Sequence, residues 1–521
     1  MLYKLIQIIK SLNKRELIAL IVCVSVIALS GSFFLIRAIT EQTEESPAFG
    51  GTWREGSIGQ PVFVNPIISG NDVDQEISRL IFASLSEMAD TVRIEDDGRT
   101  WTVRLKEGLK WHDGEKITSD DIIYTFDTIV DPESNSPIAG NFDGATISRV
   151  SELEVRFNLP SSYVFFETTI DNMRIIPKHI FGNIPPANFN LSSFVREPVG
   201  SGPYKFQSYG KEKGGFVSEY KLIANNEYFG KKPYIQNIVF KFYADESQMA
   251  KGYINGEIDG FIAQNPKTAK TISVRRTVNA LSAPRYYAVF LNPSLISAFR
   301  DESTRKKLSA AVSRDKIATD VFDGFAEPVF SPLTEEPFTP EKEDLVDNSL
   351  EGLVINLTVP DIQPLIETAT IIKSDWESYG ATVNISSLRP ADIQEIIKNR
   401  SYEALLFGNI LNEPEDLYSF WHSSKRFYPG LNLAGFNDKT ADALMETIRV
   451  TGDKEERKIF ASHLASIIAE SAGAVFIISP DYVYITSPKL HGFRAEGIIT
   501  AADRLSSVSD WYVNTIRKIK K

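Results

Sequence analysis

The sequence predicts an α/β protein of several domains, preceded by one membrane-spanning helix. Three observations predict it. The chain has 521 residues, and at about 150 residues per domain that length suggests roughly three domains. Residues 17–36, "LIALIVCVSVIALSGSFFLI", carry no charge, and 20 such residues span a bilayer core of about 30 Å as a helix. Between residues 353 and 410 apolar strands alternate with amphipathic helices, a rhythm that implies parallel strands joined by right-handed crossovers.

The N-terminal run comes first. Lys4, Lys10, Lys14 and Arg15 precede it, and only Arg37 closely follows. That bias places residues 1–16 in the cytoplasm, 17–39 in the membrane and the body outside. A cleaved signal peptide with "ALSG" (28–31) as its processing site is the first rival. The apolar run continues to Ile36, which favours an uncleaved, single-pass anchor. A lipoprotein is the second rival, but its cysteine should end the run. Cys23 lies in mid-run, after Ile-Val, and reads as a lipid-facing or core thiol. It is the sole cysteine, so no disulfide framework exists. Residues 40–50, "TEQTEESPAFG", read as a flexible tether.

The body is 43% hydrophobic and 24% charged over the whole chain, with a formal net charge of -12. Such acidity repels phosphate backbones, so no nucleic acid partner is expected. Its first clear strand is in "RTWTVRLKEGLKW" (99–111), where Trp101, Val103 and Leu105 alternate with polar residues. Asp113-Gly114 is a turn. Thr118 then caps a helix, with Asp121 at the third position in a capping-box pattern and Ile122, Ile123, Phe126 and Ile129 on one face. His112 lies beside that turn with no second histidine nearby, so the stretch reads as turn and cap. Strands follow at 150–160, 201–209, 215–225 and 235–245, then a short helix at 246–258. "YYAVFLNP" (286–293) is nearly all apolar, as inside a sheet covered on both faces. A helix pair occupies 300–322. Strand 353–359, helix 364–379, strand 381–388, helix near 390–399 and strand 402–410 give the alternating block. Helix 453–471 and strand 473–485 end the series.

The usual catalytic motifs are missing: no GxSxG, GxxxxGK[ST], HExxH or GxGxxG occurs. The histidines at 112, 179, 422, 463 and 491 suggest no metal pair. Glu413, Glu415 and Asp416 form a local acidic cluster, which 68 Asp and Glu residues produce by chance. No enzyme activity, metal or cofactor is expected.

Several motifs, in order, resemble the oligopeptide/dipeptide/nickel-binding family of ABC-importer solute-binding proteins, family 5. They are "GQPVFVNPIISGNDVDQEISRLIFASL" (59–85), "WTVRLKEGLKWHDGEKITSDDIIYTF" (101–126), "VGSGPYKF" (199–206), "LIANNEYFGKKPYIQNIVFKF" with "GEID" (256–259), "STRKKLSAAVSRDKIATDVFDGFAEPVFSPL" with Lys307 and Ser313 as departures, and "NLAGFNDKTADALM" (432–445). The resemblance covers about residues 51–490. It implies a periplasmic-binding-protein-like fold, type II, of the large three-domain variety, with two lobes around a hinge. By analogy domain I holds 51–86, 180–283 and 480–521, domain II holds 87–179, and domain III, the distal lobe, holds 284–479.

The resemblance also implies a function. A membrane-anchored monomer with an extracytoplasmic body would capture a solute, most readily an oligopeptide, and deliver it to ABC permease and ATPase subunits; an extracellular hydrolase is disfavoured by the missing nucleophile and metal sets. A ligand-sensing receptor or scaffold of the same fold, and a binder of a non-peptide solute, are the alternatives. Ligand contacts are expected at Phe63, Val64 and Asn65, at Ser201, Gly202 and Tyr204, and at Asn409, Asn412 and Glu413, with Tyr286 and Trp421 as aromatic walls. One departure stands out. Peptide binders of the family place an aspartate, with a nearby tryptophan, after the strand read here as "YEALLFGNI", to pair with the ligand's ammonium group. The matching position is Ile410. Glu413 or Glu415 is then the expected substitute.

Overall fold

The computed structural model describes residues 12–334, 338, 345–346 and 348–520. Lys4 and Lys10 of the expected cytoplasmic segment lie outside the described residues. The first helix runs Lys14–Gln42. Asn13 caps it, accepting from the amides of Arg15 and Glu16, while the Glu16 carboxylate accepts from the Asn13 amide. Such a reciprocal box satisfies amides that the first turn leaves unpaired. From Leu17 to Phe34 the helix carries no charge, and none of its apolar span is buried against protein. Its length and composition suffice to cross a bilayer.

No tether follows. The helix passes directly into β1 (Thr43–Ala48), which pairs antiparallel with β19 (Asn514–Ile519). Lys520 N donates to Gln42 O at 2.9 Å, and Arg517 lies 3.7 Å from Glu45. The polar composition of residues 40–50 reads as flexible only while its partner strand, far along the chain, is ignored. Gly50 and Gly51, with φ of 120° and 82°, turn this two-stranded stem into the body. A side chain at Gly51 would meet Val513 Cγ2 at 2.5 Å.

The body holds three sheets. The first has seven strands in the order β11-β18-β10-β2-β9-β8-β7: β2 (Thr52–Ile58), β7 (Tyr204–Lys211), β8 (Val217–Ala224), β9 (Asn237–Tyr243), β10 (Gly260–Ala263), β11 (Thr277–Leu281) and β18 (Tyr482–Thr486). The second has four, β3 (Ala89–Glu95), β4 (Thr100–Leu105), β5 (Thr146–Ser151) and β6 (Glu154–Asn158), in the order β3-β4-β6-β5. The expected single strand 150–160 is thus the end of one hairpin strand and all of the next, turned at Glu152-Leu153. One continuous core joins these two sheets, from Trp53 and Leu80 through Trp101 and Phe157 to Tyr204 and Trp511. They form the proximal lobe.

The third sheet, in the distal lobe, has the order β13-β17-β12-β16-β14-β15. Its strands are β12 (Arg285–Leu291), β13 (Ala326–Pro328), β14 (Val354–Pro360), β15 (Thr382–Leu388), β16 (Ala404–Ile410) and β17 (Ala474–Pro480). β14 is parallel to β15 and β16, and helices Gln363–Ser378 and Pro390–Asn399 make the crossovers. β12 runs antiparallel to β16 and β17, so the sheet is mixed rather than wholly parallel. Alternate residues of β12 enter different cores: Val289 and Leu291 one, Ala288 and Phe290 the other. A sheet covered on both faces requires that.

Among the described residues the chain passes between the lobes twice. Residues 282–284 connect β11 to β12, and Asp481 connects β17 to β18. The expected strand 473–485 is therefore two strands in two different sheets. The last helical segment, Ala501–Asp510, is tied back to the proximal lobe by a wholly buried Arg504. Its guanidinium lies 2.7 Å from Glu55 and 2.7 Å from Glu76. Glu55 also accepts from Trp53 Nε1 at 2.8 Å and from the Tyr484 hydroxyl at 2.9 Å.

Candidate functional site

The three parallel strands of the distal sheet end at Pro360, Leu388 and Ile410. A cleft of about 270 Å³ opens there, lined by Arg285, Tyr287, Ile362, Gln394, Phe407 and Ile410 among others. Clefts at the carboxyl ends of parallel strands are where open α/β sheets bind ligands. This one adjoins both inter-lobe passages, since Arg285 opens β12 and Pro480 closes β17. Its walls are mostly apolar. Ile362 and Ile410 are 40% and 42% exposed, which costs hydration free energy unless a ligand covers them.

Arg285 is the one charged side chain among the described residues lining this cleft. Its position is fixed from three sides. Nε donates to Pro480 O at 2.8 Å and Nη2 to Asp481 O at 3.0 Å. The guanidinium carbon sits 3.6 Å from the Tyr482 ring centroid, a stacked cation–π geometry. Directly across the ladder from Arg285 stands Ile410. Burial raises the Asp481 carboxyl above the usual range, while Arg285 opposes that shift.

The segments expected to contact ligand do not converge here. Val64 and Asn65 are fully buried and Phe63 half-buried. The amides of Val62 and Phe63 donate to the Asp74 carboxylate at 2.8 and 2.9 Å, and the Asn65 carboxamide oxygen accepts from Ile67 N at 3.0 Å. The Asn-Pro stretch is thus a folded turn seated on the helix Asp72–Ile81. Ser201, Gly202 and Tyr204 are likewise buried, away from the strand-end cleft. The amides of Ser201 and Gly202 both donate to Ile81 O, at 3.0 and 2.7 Å, and the Tyr204 hydroxyl donates to Ile235 O at 2.9 Å. A Cβ at Gly202 would lie 2.5 Å from Leu80 O. The glycine there permits close approach of two backbones, and leaves no space for a solute.

His112 belongs to the same knot. Its Nε2 lies 3.0 Å from Gly202 O and its Nδ1 accepts from Gly200 N at 3.2 Å. These partners assign the neutral tautomer with the proton on Nε2. Burial lowers its pKa to about 4. The role is structural.

Of the distal candidates, Tyr286 and Asn409 rim the cleft. The Tyr286 hydroxyl accepts from Asn409 Nδ2 at 2.9 Å and from Trp421 Nε1 at 3.1 Å. All three side chains are buried; Tyr286 and Asn409 line the cleft, and Trp421 supports them from behind. Asn412 is exposed. Glu413 lines a different cavity of about 500 Å³, with Glu415, Arg457 and the segment 164–168. There it accepts from the Thr168 hydroxyl. Burial pushes the Glu413 carboxyl up.

That second cavity marks a contact between the lobes. The Tyr163 hydroxyl donates to Asp416 at 3.0 Å, Arg449 lies 3.2 Å from Asp416, and Val164 N donates to Arg449 O at 2.9 Å. Phe165 is buried in the distal core while its neighbour Phe166 is buried in the proximal one. Among the described residues, no group of three or more His, Cys, Asp or Glu is arranged to hold a metal ion.

Arg285, Tyr482, Ile362 and Gln394 carry no motif that would have singled them out in the sequence. An arginine at the mouth of an apolar strand is unremarkable until the strand ends are assembled.

Comparison with known proteins bears on this geometry. Residues 86–428 match the model of the bacterial extracellular solute-binding proteins, family 5. The oligopeptide-binding protein AppA of Bacillus subtilis is 24% identical over 86% of this chain and 90% of its own length. The crystal structure of the ABC transporter substrate-binding protein CtaP of Listeria monocytogenes superposes with a TM-score of 0.77 at 26% identity, covering 89% of this chain and 99% of that one. NikZ of Campylobacter jejuni, solved with Ni(L-His), superposes with a TM-score of 0.73 at 20% identity, over 88% and 99% of the two chains.

Proposed function

Because this chain belongs to family 5 of the bacterial extracellular solute-binding proteins, a family that captures solutes for ABC transporters, we propose that it is a monomer held at the outer face of the membrane by the uncleaved helix Lys14–Gln42, that it encloses a solute between its lobes at the strand-end cleft, and that it passes the solute to permease and ATPase subunits. Peptides are the first class of solute to test, since the relative AppA is an oligopeptide-binding protein. The observation that carries the reading is the placement of the cleft. It lies at the carboxyl ends of β14, β15 and β16 and beside both passages between the lobes, so a small rotation there changes its width. Binding energy comes from enclosing apolar surface with a few placed polar groups. No turnover is proposed. The division into a discontinuous domain I, a domain II and a distal domain III is retained as the working description.

A non-peptide solute is the second reading. It is favoured by the absence of any carboxylate among the described residues lining the cleft, where a free amine would want one.

The test is thermal unfolding of the full chain in lipid nanodiscs with peptides of two to nine residues. A ligand that binds only the folded state at a hundred times its Kd stabilises by about 2.7 kcal/mol. A rise in Tm, with unchanged peptide recovered afterwards, supports peptide capture; peptides that never shift Tm remove peptides as the solute. Sequencing the mature N-terminus tests the anchor, and a chain starting near Gly31 removes it.

A further inference from the structure

The strand-end cleft is apolar with a single fixed cation. The whole chain is acidic, with a net charge of -12, and its other cations near the lobe contact meet carboxylates: Arg449 lies 3.2 Å from Asp416 and Arg457 lies 3.0 Å from Glu415. Among the described residues Arg285 has no carboxylate within ion-pair distance. Its cross-strand neighbour is Ile410. The Asp481 carboxylate makes no ion pair with Arg285, although it is near enough for the guanidinium to oppose its upward shift, and only the Asp481 carbonyl is bonded.

The donors of Arg285 divide accordingly. A guanidinium has five N–H groups. Those on Nε and Nη2 are partly used by the carbonyls of Pro480 and Asp481, and Nη1 is bonded to neither. Held by two carbonyls and stacked on Tyr482, the side chain has little rotamer freedom left to lose on binding, which strengthens recognition. A planar guanidinium is suited to a planar carboxylate. Around it lie Tyr287, Ile362, Phe407 and Ile410, which would cover an apolar body.

We propose that Arg285 binds a carboxylate of the captured solute, and that the cleft selects molecules that join a carboxylate to an apolar body. This deepens the reading of the cleft as the capture site and rests on it. The free amine of a peptide contributes little to binding, whereas its C-terminal carboxylate is the recognised end.

Arg285 also staples the two inter-lobe passages, so loss of fold must be separated from loss of recognition. The measurement is therefore a ratio. Calorimetric Kd values are taken with the full chain in nanodiscs for leucyl-alanyl-leucine, its C-terminal amide and its N-acetyl form, and for 4-phenylbutyrate against its carboxamide. Wild type is expected to prefer each acid over its amide by at least tenfold and to bind the N-acetyl peptide within threefold of the free peptide. Arg285→Gln should bring the acid-to-amide ratio near one, and Arg285→Lys should restore part of it. A general structural loss would weaken acid and amide alike and leave their ratio intact. Amides that bind wild type as well as the acids overturn the proposal and leave peptide capture standing. Binding of phenylbutyrate without any peptide supports the proposal and removes peptides as the solute. If no acid in the panel binds, the proposal is overturned.

Discussion

Replacing Phe165 by alanine separates the fold of one lobe from the contact between two. Phe165 is only 5% exposed and packs in the distal core, but Phe166 and the helix Phe166–Asn172 belong to the proximal core. The distal core is therefore completed by a side chain that the proximal lobe carries. Burying a phenylalanine side chain is worth about 1.5–3 kcal/mol. In Phe165→Ala that amount is taken from the contact between lobes rather than from either fold. At 1.4 kcal/mol per tenfold, the balance between joined and separated lobes shifts by roughly 10- to 150-fold. Small-angle scattering of the solute-free chain is expected to show a larger radius of gyration, and the Kd for a solute that requires joined lobes is expected to rise by up to the same factor. The main unfolding transition should fall by less than the ~3–5 kcal/mol typical of a phenylalanine removed from within one core. The reasoning is refuted if the variant scatters like wild type and binds with the same Kd while losing the full core-type stability. Phe165 would then be an ordinary core residue whose insertion has no part in lobe closure.

Three further outcomes are expected. Arg504→Met leaves two carboxylates, Glu55 and Glu76, buried without their cation, and breaking such a pair costs ~3–5 kcal/mol; because burial already holds the Glu55 carboxyl above its ordinary range, protonation favours the folded form, so the stability deficit measured by denaturant unfolding should be smaller at pH 5 than at pH 7.5, and equal deficits would contradict it. His112→Ala should leave solute affinity unchanged, since the His112 imidazole bonds the backbone of the Gly200–Gly202 knot; its pKa is lowered from 6.5 to about 4, so wild type should lose stability as pH falls through that window and the variant should lack this component, as equilibrium unfolding across pH will show. Glu413→Gln should alter the affinities for free-amine and N-acetylated peptides equally, if at all, because Glu413 lines a separate cavity; a selective loss for the free amine in a calorimetric titration would return Glu413 to the solute.

What was legible in the sequence was mostly local. The cap at Thr118 and Asp121 forms as read, because its partners lie three residues apart. The alternating block over residues 353–410 also holds, since parallel neighbours β14, β15 and β16 need crossovers and the periodicity of those crossovers is helical. The motif order pointed to the family, and the match over residues 86–428 agrees. What failed was non-local. Residues 43–48 look like a tether because β19, their partner, lies at the other end of the chain. "GAVFIISPDYVYI" reads as one strand because nothing in it says that Pro480 and Tyr482 belong to different lobes. The expected contact segments fail to converge on the strand-end cleft for the same reason, apart from Tyr286 and Asn409. Tyr204 and Val64 are recognisable by motif, but their motifs preserve backbone packing. Arg285 opens β12 and Ile410 closes β16, Ile362 follows β14 and Gln394 lies on the helix Pro390–Asn399, so they converge only when the sheet and its crossovers are assembled.

With the helix Lys14–Gln42 as the proposed anchor, the stem of β1 and β19 would make the protein a lantern on a mast rather than a buoy on a line. Eleven flexible residues would let the body wander over an r.m.s. distance of about 18 Å. Six paired residues instead give a ribbon of about 20 Å, standing on the helical turns of residues 37–42, about 9 Å more. On that anchor the body would ride at a set elevation of about 30 Å above the apolar layer. An isolated two-stranded ribbon is marginal, but this one is rooted in the body, where Gly50 N donates to Tyr234 O at 2.8 Å and Tyr234 packs edge-on against Tyr512. Delivery from such a mast is a search over two dimensions of the membrane plane and one angle of rotation about the helix. A transporter mouth at a different height is out of reach, however tightly the solute is held.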